Sequence, residues 1–150
     1  SEWFAEELID RMATKFENIT LMPGIADLLD EIAALNLPIA LVSASPRRLV
    51  DAVLASFPVS PFTITISAND VTRGKPHPDP YLKAAAILGI DITQSLIIED
   101  SPTGVTAARA SGAFVVAVPH IAPVEPAVRS TIIDTLLGRK LKELWHLCQS

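Results

Sequence analysis

Apolar residues in this chain come in short continuous runs, separated by stretches where they recur every three or four positions. The continuous runs are Pro38-Ile-Ala-Leu-Val42, Leu96-Ile97-Ile98 and Ala113 to Val118. Each is too short and too uniformly apolar for an amphipathic helix, and each predicts a strand covered on both faces. Phe62-Thr-Ile-Thr-Ile66 alternates with period two and is rich in β-branched residues, which predicts a further strand. Ile132-Ile133 predicts a short edge strand. Between these runs the spacing is helical. Phe4, Leu8, Met12 and Phe16 form one stripe over Trp3 to Phe16, and Ile25, Leu28, Leu29, Ile32 and Leu35 form another after Pro23. Ser45-Pro46 predicts a capped helix start, followed by Leu49, Val50 and Val53. Tyr81 to Leu88 reads as alanine-rich helix closed by Gly89, Val105 to Ala110 as helix stopped at Gly112, and Leu141 to Leu147 as a closing helix. The three prolines between Pro119 and Pro126 predict a loop.

Strands alternating with helices imply an α/β fold with a doubly wound parallel sheet. Composition agrees. The chain has 150 residues, 49% of them hydrophobic and only 5% aromatic, so its interior is aliphatic. This length suits one domain with a sizeable core. A net charge of −5 argues against nucleic acid as a partner, since that function needs a basic patch. No apolar run approaches transmembrane length, and no signal peptide is recognisable. The single cysteine, Cys148, excludes an internal disulfide framework and is expected in a reducing cytoplasm.

In a parallel α/β sheet, ligands bind at the carboxyl ends of the strands. Three segments qualify. Glu99 and Asp100 follow an aliphatic run directly and precede Ser101-Pro-Thr-Gly104. Two adjacent carboxylates repel unless a cation joins them, and a hard ion such as Mg²⁺ takes oxygen ligands. Asp100 is the better candidate for direct coordination, with Glu99 a second ligand or an outer partner. Lys75 lies in Gly74-Lys-Pro-His-Pro-Asp-Pro80, whose prolines stiffen the backbone. Its ammonium is either an ordinary surface charge or a fixed one, suited to charge developing on a phosphoryl group. Ser43 follows Leu41-Val42 and precedes a helix, where hydroxyl and backbone N–H groups can bind an anion, while Ser45 is expected to cap that helix. No Gly-x-Gly-x-x-Gly is present, against a dinucleotide site. His77, His120 and His146 are too dispersed for zinc.

Leu41-Val-Ser-Ala-Ser45, the Lys75 to Leu82 loop and Ile97 to Gly104 together resemble, in the right order, three motifs of the haloacid dehalogenase-like superfamily. The similarity is to its branch of sugar phosphatases and β-phosphoglucomutase-like enzymes, and it runs from about Leu21 to the C-terminus. The resemblance implies a Rossmann-like core and attack of an aspartate on a small phosphate monoester, with Mg²⁺ clamping the phosphate. Ser43 and the backbone at Ala44 would bind phosphate oxygens. Lys75 would stabilise nucleophile and phosphoryl charge, and Asp100, helped by Glu99, would hold the metal. Removing the Lys75 ammonium is then expected to cost turnover and leave folding nearly intact.

The family's first motif, Asp-x-Asp after the first strand, is missing from the sequence. Asp134, after Thr131-Ile-Ile133, imitates a strand-end nucleophile only superficially. In the family that first strand is also the middle of the sheet, so the fold is expected to be incomplete without it. Its loss would leave two half-sheets with unpaired edges, a poor match to a mean hydropathy of +0.38. Residues 1–20 are therefore expected to be the remnant of a cap or linker helix, and 21–150 the C-terminal portion of the core domain. The nucleophile would lie on an N-terminal segment of the same protein. Alone, the chain would be inactive. The alternatives are a non-catalytic phosphate- and metal-binding module or a mutase.

Overall fold

The computed structural model describes residues 2–5, 22–119 and 122–149. Six strands form one parallel sheet: β1 (Glu2–Ala5), β2 (Ile39–Val42), β3 (Ile64–Ile66), β4 (Ser95–Glu99), β5 (Phe114–Ala117) and β6 (Ser130–Ile132). Their spatial order is β3-β2-β1-β4-β5-β6. Five α-helices, α1 (Ile25–Ala34), α2 (Arg47–Leu54), α3 (Asp79–Leu88), α4 (Pro102–Ala110) and α5 (Leu141–Gln149), and two short 3-10 helices, Ala68–Asp70 and Ile92–Gln94, complete the described fold. The strand order reverses direction at the centre, as in a doubly wound sheet. No described helix is long and apolar enough to cross a membrane.

The sheet corrects one expectation. The helix expected from Trp3 does not begin there, because Glu2–Ala5 is a strand paired on both sides. Phe4 pairs with Ala40 of β2 and with Ile97 of β4. Two ladders of backbone bonds, with the β-favouring pair Trp3-Phe4, outweigh a stripe built on every fourth residue. The sheet is therefore continuous rather than split in two halves. The rest of that expected helix, and Asp10, lie outside the described residues.

Period-two alternation sorts the core into two unequal layers. Leu41, Leu96, Ile98 and Val116 pack with Ile25, Leu28, Leu29 and Ile32 of α1, and with Leu136, Leu144 and Cys148. The other face is built from small residues: Ala40, Ile97 and Val115 meet Ala84 and Ala85 of α3 and Ala107 and Ala108 of α4. Alanine contacts let α3 and α4 approach the sheet closely. Tyr81 is fully buried in that layer.

The C-terminal segment is tied to α1. Gly24 precedes α1 at φ 89°, and a Cβ there would lie 2.4 Å from the Leu136 carbonyl carbon. Only glycine suits both that backbone and that approach. The Leu141 N–H donates to Glu31 Oε1 at 2.9 Å, which starts α5 against α1. A further difference from expectation concerns α2. Its N-cap is Pro46 without a side-chain capping bond, and the Arg47 N–H is taken instead by Asn69 Oδ1 at 2.7 Å.

Candidate active site

Strand periodicity places the site. Ile97 points into the alanine-lined layer, so Glu99, two residues on, points the same way, toward α3 and α4. There its carboxylate is fully buried. Oε2 accepts from Lys75 Nζ at 2.7 Å and from the Tyr81 hydroxyl in a short hydrogen bond. Oε1 has no hydrogen-bond partner, the only such buried side-chain oxygen or nitrogen among the described residues.

Lys75 is brought to Glu99 from the proline-rich loop, across the ends of β2 and β4. Its side chain is 3% exposed, so it is not a surface lysine. Its ammonium also donates to the Val42 carbonyl at 3.0 Å and stands 5.1 Å from the centre of the Tyr81 ring. Burial pushes the Lys75 pKa below its ordinary value, against the charges of Glu99 and Asp100, which raise it. Burial pushes the Tyr81 phenol well above its ordinary value, and the Glu99 charge adds to this, so it stays a donor.

Gly104 makes room for the carboxylate. A Cβ on this residue would sit 2.0 Å from Glu99 Oε1, so only glycine fits beside it. Ser101 caps α4 by accepting from the Gly104 N–H at 3.0 Å, which sets the first turn against the end of β4. Asp100 is half-buried beside Glu99. At the end of β2, Ser43 is 2% exposed and its Oγ accepts from the Ser45 N–H at 3.0 Å. Ala44, between them, is exposed.

The structure thus gathers Ser43, Lys75, Glu99 and Asp100 at the carboxyl ends of β2 and β4. It leaves Asp134 exposed after the outer strand β6, and His77 and His146 exposed elsewhere. Sequence reasoning passed over Tyr81 and Gly104. The signals were a lone tyrosine six residues after Lys75 and a glycine five residues after Glu99.

An oxygen-only donor set with one buried, unpartnered carboxylate oxygen suits a hard cation. No group of three or more metal-binding side chains occurs among the described residues. Mg²⁺ does not need one, because it commonly uses one or two carboxylates together with water and substrate phosphate.

The sequence pattern of the haloacid dehalogenase-like hydrolases matches residues 1–118. The chain belongs to this family. It is 36% identical over 108 residues to hexitol phosphatase A of Escherichia coli (strain K12), covering 71% of this chain and 49% of that protein. It is 31% identical over 148 residues to a bifunctional riboflavin kinase/FMN phosphatase of Arabidopsis thaliana, covering 96% of this chain and 39% of the relative. The chain thus spans about half of the first of these relatives and about two fifths of the second. CbbY from Rhodobacter sphaeroides, solved with phosphate, superposes with a TM-score of 0.79 at 23% identity, over 91% of this chain and 64% of that one. A β-phosphoglucomutase from Clostridium difficile superposes with a TM-score of 0.73 at 23% identity, over 94% and 60%. These superpositions establish the haloacid dehalogenase-like fold.

Proposed function

We propose that this chain is the phosphate- and cation-binding part of a Mg²⁺-dependent phosphohydrolase acting on small phosphate monoesters, sugar phosphates among them. The observation that carries this reading is the buried Lys75–Glu99 pair at the strand ends, with one carboxylate oxygen left over. A buried pair is costly to desolvate, and a functional site is where such a cost is commonly met. The names of the phosphatase relatives support the same chemistry.

Each residue has a role that follows from its place. Ser43, its hydroxyl oriented by the Ser45 N–H, and the backbone at Ala44 would hold phosphate oxygens. Lys75, fixed by Val42 and Glu99, would neutralise charge building on the transferring phosphoryl group without having to reorganise. Asp100 and Glu99 would hold Mg²⁺, which supplies charge neutralisation at the phosphate oxygens when bound. The aspartate nucleophile and the general acid/base belong, in this reading, to an N-terminal segment of the same protein outside this chain. The core domain would span 21–150 together with Glu2–Ala5, the strand paired with β2 and β4. A cytoplasmic setting and a small phosphorylated metabolite complete the proposal, with neither nucleic acid nor membrane as partner.

The test is release of inorganic phosphate from p-nitrophenyl phosphate and from sugar phosphates, with and without Mg²⁺. The chain alone should release none, and the chain joined to an Asp-x-Asp segment, whose strand would take the central place that β1 fills here, should do so only with Mg²⁺. Turnover by the chain alone would overturn the placement of the nucleophile. A joined protein that binds Mg²⁺ without turnover would make the domain a binding module. Conversion of a sugar phosphate to its isomer without phosphate release would make it a mutase.

A further inference from the structure

We propose that Tyr81 is a positioning residue that turns the Glu99 carboxylate, so that Oε2 faces Lys75 and Oε1 is kept for a cation. The inference rests on the cation reading given above and assigns the part played by a residue outside its three motifs' charged groups. The geometry is specific. Two donors, the Lys75 ammonium and the Tyr81 hydroxyl, converge on one oxygen of a fully buried carboxylate, while the other oxygen accepts from no one. A lysine alone does not impose that asymmetry. An ammonium carries three donors and can straddle both oxygens of a carboxylate. The hydroxyl prevents this by holding Oε2 from the α3 side, while the Val42 carbonyl holds the ammonium from the β2 side.

Tyr81 is placed for this by its packing. It is fully buried on the first turn of α3, and its backbone N–H is bonded to the Pro78 carbonyl at 3.0 Å. On the opposite side, Gly104 clears the space that Oε1 occupies. The carboxylate is thus gripped at one oxygen and given room at the other. Groups that orient a metal ligand in this way are worth about 10- to 100-fold in metal affinity.

Tyr81 is the only tyrosine in the chain, so biosynthetic 3-fluorotyrosine gives a single ¹⁹F resonance. Mg²⁺ should move that resonance along a saturating curve, with the dissociation constant that calorimetry reads for the unlabelled protein. Glu99→Gln should abolish the shift. Tyr81→Phe keeps the ring, removes the hydroxyl, and should raise the calorimetric dissociation constant about tenfold. In the Glu99→Gln background, Tyr81→Phe should cause no further loss. Mg²⁺ binding by calorimetry with an unmoved ¹⁹F resonance would overturn the role of Tyr81 and leave the cation reading standing. Wild-type affinity in Tyr81→Phe would do the same. Neither heat nor shift in the wild type would overturn the cation reading itself, and this inference with it. Because the fluorinated residue keeps both the ring and the hydroxyl at position 81, the fluorine measurement decides the matter even if Tyr81→Phe does not fold.

Discussion

Two cation–carboxylate pairs sit at the same end of the sheet. Lys75 meets Glu99 at 2.7 Å with side chains 3% and 0% exposed, and Arg47 meets Asp70 at 2.5 Å with side chains 34% and 33% exposed. The Arg47 pair is tied into a wider network, and water reaches what that network leaves open. Asp70 Oδ2 also accepts from the Ser67 N–H at 2.7 Å and its hydroxyl at 2.8 Å, and Arg47 also donates to the Thr65 hydroxyl and carbonyl. That corner braces the start of α2 against the turn after β3. The Lys75 pair lies in the driest part of the molecule and still leaves an oxygen unused. A fold under pressure only to be stable would not leave an unpartnered carboxylate oxygen where water cannot reach it. The difference sets the bracing corner apart from the one that the proposed function uses.

The contrast can be broken most forcefully from the buried side. Lys75→Met or Glu99→Gln alone leaves an uncompensated buried group, and each should cost about 3–5 kcal/mol in urea unfolding. The double variant should be more stable than the sum of the two losses implies. This revises the expectation that losing the Lys75 ammonium leaves folding nearly intact, because the side chain is buried rather than on the surface. Additive losses would show that the two groups do not act as a pair.

Gly104→Ala should come next. Alanine normally favours a helix, but here its methyl would overlap Glu99 Oε1, and about 1–3 kcal/mol should be lost. In a Glu99→Ala background the same change should be neutral or stabilising. A loss that persists there would place the clash elsewhere.

The exposed corner should respond least. Asp70→Asn should cost about 1 kcal/mol, since solvent screens the pair and the amide oxygen can still accept from Ser67. Partial burial raises the Asp70 pKa, but the Ser67 and Arg47 bonds outweigh it and hold the group at about 2, against an ordinary 3.8. A carboxyl depressed in the folded state adds stability above its unfolded pKa and loses it as pH falls through the folded value. The wild type should therefore lose its advantage over Asp70→Asn between about pH 4 and pH 2. Parallel urea midpoints over that window would remove Asp70 from the acid response.

Most of the fold was legible because continuous aliphatic runs have few alternatives. Ile39–Val42, Ser95–Glu99 and Phe114–Ala117 fall where those runs lie, and the carboxyl ends of the first two hold the candidate groups. β1 was not legible, since Phe4 fits a four-residue stripe as well as a strand, and only pairing with Ala40 and Ile97 decides between them. Ser45 looked like a cap because local spacing cannot reveal Asn69, which arrives from 22 residues downstream. For Lys75, surface and site readings were evenly matched in the sequence. The route of its loop over β2 and β4 separates them, and that route is a tertiary fact.

The tie between the C-terminal segment and α1 has a consequence for what counts as one unit of this protein. The family pattern ends at residue 118, yet Leu136, Leu141, Leu144 and Cys148 belong to the same apolar layer as Ile25, Leu28 and Ile32. A chain cut after Val118 would retain every candidate site residue and open one whole side of its interior to water. The segment that the family pattern covers is thus shorter than the segment that must fold together. Proteolytic trimming at the tail would silence the site from the far side of the sheet without touching it.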